Sequence, residues 1–148
     1  MPLIPGFPGE IDDPSATVPQ VILNWQYKTI CRGDKSLFSR LRKHTDHPEE
    51  YVEFYGLRNH GVIDDIPKTE IIYIHSKLMI IDDRHVLCGS ANINDRSMEG
   101  DRDSELCLLT SGDPTLEIEM GGESFVVVPK IHQMRKKLLA EHFSLQQE

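Results

Sequence analysis

The chain has 148 residues, is 39% apolar and 27% charged, and carries a formal net charge of -8. That length suits one compact domain able to bury roughly two-thirds of its unfolded surface, and the composition suits a soluble globular protein. The acidity argues against nucleic-acid binding by bulk charge, and no apolar run approaches the roughly 20 residues of a membrane span.

Residues 1–16 hold Pro2, Pro5, Pro8, Pro14, Gly6 and Gly9. They cannot form a regular helix or central strand and are expected to be an extended lead-in without a signal-peptide pattern. Thr17 with Gln20 fits a capping box, and Pro19 is tolerated in a first helical turn. Val18, Val21, Ile22 and Trp25 then follow helical spacing, with Trp25 a core anchor and Gly33 the stop. Leu37, Phe38 and Leu41 suggest a second short helix. Tyr51 to Leu57 reads as a strand, with Arg58 at its end as a candidate phosphate contact. Ile71 to Ile81 is almost wholly apolar, which predicts a strand buried on both faces. Asp82 to His85 is a turn, Val86 to Ser90 a second strand and Ser104 to Leu109 a third. Loops follow at Ser111–Pro114 and Gly121–Gly122. Ile131, Met134, Leu138 and Leu139 predict a closing amphipathic helix. Helices outside a central sheet give an α/β domain.

Three polar residues interrupt the apolar run. His75 and Lys77 are two apart, so on a strand they share a face about 6.6 Å from each other. A two-residue turn at Asp83-Arg84 would set Lys77 opposite Ser90 and His75 opposite Asn92, all on one face. A three-residue turn would shift that register. The cluster joins an imidazole that titrates near neutrality, a fixed cation and two neutral donors. It has no second His or Cys at ligand spacing, so no metal site or cofactor is expected. Such a set suits phosphate, with the His as nucleophile or general acid/base.

His75-x-Lys77-x4-Asp82-x6-Gly89-Ser90-x-Asn92 resembles the HKD motif of the phospholipase D superfamily at every defining position. The run Ile93 to Glu105 is similar to the second HKD region of eukaryotic phosphatidylcholine-cleaving phospholipases D. So are Pro5-Gly6-Phe7, Tyr27 to Gly33 and Phe54 to Arg58. The resemblance is to the subfamily that carries PX and PH lipid-binding modules rather than a C2 module.

The resemblance implies a phospholipase D-like fold, with a mixed central sheet flanked by helices. Residues 17–148 would be the C-terminal lobe of a two-lobed enzyme, with the second HKD motif supplied by an N-terminal half or a second copy of the chain. It implies hydrolysis of phosphatidylcholine to phosphatidic acid and choline, with transphosphatidylation, through a phosphohistidine. His75 would take the acid/base role, Lys77, Ser90 and Asn92 would hold phosphate oxygens, and Glu105 would hydrogen-bond the histidine. Asp82 belongs to the motif but, seven residues from His75, points to the opposite face and reads as structural. One motif in the chain leaves three readings: a fragment, a homodimeric single-motif phosphodiesterase on another lipid or nucleic acid, or an inactive phospholipid-binding piece. The likeness to the lipase branch and the acidity both disfavour a nuclease, so a phospholipid partner and no nucleic acid are expected.

Other features read more plainly. Three cysteines (Cys31, Cys88 and Cys107) without tight spacing suggest reduced thiols in a cytoplasmic protein, and the resemblance implies peripheral association with membranes. His44 and His47 read as exposed. Lys130, Arg135, Lys136 and Lys137 make the last helix basic, a solvated face or an anionic-membrane contact. Arg96 and Arg102 either support the motif or form internal ion pairs.

Overall fold

A computed structural model describes residues 14, 15 and 17–145. The expected lead-in, apart from 14 and 15, lies outside them, as does Pro5-Gly6-Phe7. The chain divides into two compact units at Ile74/His75.

In the first unit, α1 (Thr17–Tyr27) runs into a π-helical turn, Lys28–Arg32. Gly33 ends it, its N–H bonding Lys28 O at 3.0 Å; a Cβ there would meet the same oxygen at 2.9 Å. Trp25 is no core anchor: it is 57% exposed, with Lys28 Nζ 4.9 Å from its ring centroid. The second helix is present as α2 (Leu37–Leu41), capped by the buried Ser36, which accepts from Ser39 N–H at 3.2 Å.

The strand expected at Tyr51–Leu57 starts where it was to end, since β1 is Leu57–Ile63. It pairs antiparallel with β2 (Ile66–Ile72), and Arg58 therefore lies inside a strand. Asp64 and Asp65 form the two-residue turn with φ of 51° and 61°, the sign that type I′ hairpin turns require. The long apolar run is thus two strands, not one: β2 ends at Ile72 and β3 (Lys77–Ile81) begins after the polar His75-Ser76. Ile72 and Tyr73 are exposed, so burial on both faces does not hold.

In the second unit, β3, β4 (His85–Gly89) and β5 (Cys107–Ser111) form one antiparallel sheet in that order. Between β4 and β5 stands the short helix α3 (Asp95–Met98). A further hairpin, β6 (Leu116–Met120) and β7 (Glu123–Val127), turns on Gly121-Gly122. Helix α4 (Pro129–His142) closes the unit. The α/β class holds, with the described strands divided among three antiparallel sheets rather than one mixed sheet. Among the described residues the buried apolar core is small. Val86, Val128 and Ile131 form one cluster, with Leu78 and Ile80 packed against them, and Val127 is fully enclosed. The opposite face of the sheet is open: Met79, Ile81 and Leu109 are exposed.

The register of β3 against β4 differs from expectation. Lys77 lies opposite Gly89 and Ile81 opposite His85, so Asp82, Asp83 and Arg84 make a three-residue loop. Asp82 and Asp83 take φ of 51° and 50°, a left-handed conformation that Asp tolerates and Arg does not favour. Asp83 also has the stronger pull inward. Its side chain is 0% exposed and accepts from Arg135 Nε at 2.6 Å and Nη2 at 2.7 Å. His132 Nδ1 lies 2.7 Å from the same carboxylate; the acceptor-only carboxylate makes that nitrogen the donor. Val128 N–H bonds Asp83 O at 3.0 Å, and Arg84 Nε donates to Val126 O at 2.8 Å. Arg135 is accordingly half-buried and paired with the enclosed Asp83 rather than part of a solvated basic face; Lys130, Lys136 and Lys137 remain exposed.

Removing Asp83 takes the acceptor from half-buried Arg135 and His132, so Asp83→Ala is expected to lower unfolding stability by about 1–3 kcal/mol in chemical denaturation. A loss under about 1 kcal/mol would contradict the clamp. The hydrogen bond from Arg135 holds the Asp83 carboxyl below its usual range, against the opposing effect of burial. A lowered native pKa means the contribution is complete above the ordinary aspartate value and is lost as pH falls through the lowered one. Stability should therefore decline in strong acid, with a shallower decline in the Ala variant.

Candidate active site

The topology brings five of the six expected site residues to one end of the β3–β4–β5 sheet. Antiparallel pairing sets the start of β3 beside the end of β4, and the end of β4 beside the start of β5. His75 and Lys77 stand at the first of these, Ser90 and Asn92 just past the second, and Glu105 just before the third. Asp82 is at the far end, in the three-residue loop. Five strand residues put it roughly 17 Å from the others. The geometry that unites the cluster is this shared sheet end, not a shared face of paired strands.

Local contacts are specific. Ser90 Oγ donates to Glu105 Oε2 at 2.5 Å and accepts from Leu106 N–H at 3.0 Å. Ser90 N–H bonds Leu106 O at 3.0 Å, so one serine is pinned through backbone and side chain together. Lys77 Nζ reaches His75 O at 2.5 Å and lies close enough to Glu105 to favour its charged form. The Glu105 carboxyl is held below its usual range, first by the Ser90 hydroxyl, then by the Ser97 hydroxyl, with Asp103 opposing. His75, Ser90, Asn92 and Glu105 are all exposed, and Lys77 is half-buried.

Gly89 has a reason to be glycine. A Cβ there would stand 2.5 Å from Leu106 O and 2.9 Å from Cys107 Cα, inside any tolerable contact. Its absence lets the β4 and β5 backbones close up and so brings Ser90 to Glu105. The Gly-Ser pair of the motif thus combines a steric requirement with a chemical one.

One participant is not evident from the motif. Ser97 Oγ accepts from Asn92 N–H at 3.1 Å. Its signal is the Asn94-x-x-Ser97 spacing: Asn94 caps α3 by accepting Ser97 N–H at 3.1 Å, which aims the hydroxyl. Arg96 resolves to an ion pair, Nη2 to Asp103 Oδ2 at 2.9 Å. His44 and His47 are exposed as expected, and His47 meets Glu49 at 3.4 Å.

A cation, a hydroxyl, an amide and an ionised carboxylate beside an imidazole can hold an anionic oxygen-rich group and move a proton next to it. Comparisons with known proteins agree. The phospholipase D family model matches residues 65–148. The chain is 46% identical over 146 residues to a phospholipase D of Phytophthora infestans, covering 98% of this chain and 8% of that protein. It is 42% identical over 148 residues to phospholipase D zeta 1 of Arabidopsis thaliana, 98% of this chain and 14% of that one. Against phospholipase D1 of Homo sapiens it is 41% identical over 126 residues, 84% of this chain and 12% of the relative. The chain thus spans a small fraction of the length of the curated relatives it matches.

Gly89→Ala is expected to cost about 1–3 kcal/mol by overpacking and to part Ser90 from Glu105. Denaturation, together with the Glu105 titration followed by NMR, checks both. An unperturbed titration in a variant of wild-type stability would contradict the close-approach role.

Proposed function

The chain belongs to the phospholipase D family, and on that premise we propose that it is the C-terminal catalytic lobe of a metal-independent enzyme hydrolysing phosphatidylcholine to phosphatidic acid and choline. The observation that carries the reading is the gathering of His75, Lys77, Ser90, Asn92 and Glu105 at one sheet end. Lys77 and Asn92 donate to the non-bridging oxygens, and Ser90 joins them when its hydroxyl proton turns from Glu105 to the phosphate. A histidine of a second motif attacks phosphorus, and the choline oxygen leaves with a proton from the His75 imidazole. His75 then takes a proton from water, whose oxygen displaces the histidine nitrogen and releases phosphatidic acid. A primary alcohol in place of water gives a phosphatidylalcohol. Glu105, an ionised acceptor, takes the Ser90 hydroxyl and so fixes the end of β4 beside the start of β5.

The reading includes a second motif on a partner lobe or a second copy. The exposed Met79, Ile81 and Leu109 support it, because they lie on the sheet face that carries Lys77 and make an apolar surface for another body. It also includes peripheral action at a membrane surface on the cytoplasmic side, which the free cysteines Cys31, Cys88 and Cys107 support. No helix among the described residues is long and apolar enough to cross a membrane.

The test is phosphatidylalcohol formation from phosphatidylcholine vesicles and a primary alcohol. The chain is assayed alone at rising concentration and with a lobe carrying the first motif. Turnover should appear on adding that lobe, and His75→Ala should lower it by about 10³-fold or more. Activity of the chain alone rising with the square of its concentration would favour the homodimer. Vesicle binding without product under every condition, or near-normal transfer by His75→Ala, would sink the proposal.

A further inference from the structure

Helix α1 is amphipathic in the reverse of the usual sense. Val18, Val21, Ile22 and Trp25 fall within one stripe of the helix, and each is more than half exposed. Among the described side chains of the helix, the half-buried ones are Gln20, Leu23, Gln26 and Tyr27. A surface helix ordinarily turns its apolar stripe inward, so a stripe left outward marks a contact surface. The charge of the segment is also unlike that of the chain. No Asp or Glu occurs from Thr17 to Arg32, whereas the whole chain carries -8. Its charges are two cations at the C-terminal end, and each stands on a ring. Lys28 Nζ lies 4.9 Å from the Trp25 centroid, and Arg32 Cζ 4.4 Å from that of Tyr27. Along the axis the stripe therefore runs from aliphatic to aromatic to cationic.

Resting on the reading above of peripheral action at a membrane, we propose that α1 and the turn after it form an interfacial docking surface for anionic phospholipid. The aliphatic stripe enters the boundary between headgroups and acyl chains, as such helices do. Trp25 sits at headgroup level, where an amphipathic ring is favoured. Lys28 and Arg32, held over the rings, reach the lipid phosphates. A protein partner fits this end less well. Interface cores are depleted in lysine, whose strongly hydrated ammonium would have to lose its water, whereas a headgroup layer is wet and acidic. An acid-free stretch also lets this surface approach an anionic membrane that the rest of an acidic chain repels.

Trp25 is the only tryptophan of the 148 residues, so its fluorescence reports this surface alone. Phosphatidylcholine vesicles containing about one-third phosphatidylserine should shift its emission to the blue and shield it from acrylamide. Pure phosphatidylcholine vesicles should bind the chain about tenfold more weakly or less. Val21→Ser combined with Ile22→Ser, at exposed positions and with the fold checked by circular dichroism, should weaken vesicle binding about tenfold or more. Lys28→Gln combined with Arg32→Gln should keep the weak binding to pure phosphatidylcholine and lose the gain from phosphatidylserine. No emission shift with anionic vesicles overturns the proposal, as does undiminished binding by the double serine variant. A blue shift that grows with protein concentration without vesicles places a second copy on the stripe and also overturns it. So does vesicle binding with unmoved Trp25 emission, the outcome if Lys130, Lys136 and Lys137 of α4 made the contact. Phosphatidylalcohol formation from detergent-dispersed phosphatidylcholine, by the chain with a first-motif lobe, needs no docking. Its failure counts against the catalytic reading instead, and Trp25 still decides the docking surface.

Discussion

The buried carboxylate of Asp83 is the constraint on which the second unit turns. It is fully enclosed, takes both arms of Arg135 and the His132 ring nitrogen, and sits in the loop that joins β3 to β4. A charge with no access to water must be matched by donors in the protein. Meeting that demand ties the loop to α4, and the backbone bond from Val128 to Asp83 ties it to the residue before α4. Arg84 adds a hold on β7, its guanidinium 4.2 Å from the Phe125 ring centroid. With the loop held on three sides, the register of the hairpin is set, and with it the positions of Lys77 and Ser90 at the far end.

The two ends of the sheet thus divide the work. One carries a structural charge that is buried and satisfied. The other carries exposed charges and hydroxyls arranged around Glu105. The strands between them contribute a core face of Leu78, Ile80 and Val86 against Val128 and Ile131. Their other face keeps Lys77 in the company of exposed apolar side chains. An acidic chain can in this way place a lysine among hydrogen-bonding groups at one sheet end without basic character overall.

Much of this was legible in the residues, but unevenly. The motif from His75 to Asn92 was readable because its residue types make chemical sense only together, and the closing helix because its apolar spacing is helical. The register was not. Asp82 and Asp83 both tolerate the left-handed turn, and what separates them are partners 49 and 52 residues further on. Local pattern carries no trace of such a pairing. The strand expected at Tyr51–Leu57 was drawn there by aromatic residues, while the strand that forms, Leu57–Ile63, is defined by pairing across Asp64-Asp65. The β6–β7 hairpin was within reach: Leu116, Ile118 and Met120 alternate with glutamates before two glycines. Ser97 was hidden because its role comes from geometry around Asn94 rather than from its own chemistry.

The central claim is that a three-residue loop, fastened through Asp83, sets the strand register that gathers the site. Cross-strand NOEs between β3 and β4 test it most directly. The account predicts contacts pairing Lys77 with Gly89, Leu78 with Cys88 and Met79 with Leu87. Contacts pairing Lys77 with Ser90, Leu78 with Gly89 and Met79 with Cys88 would contradict it.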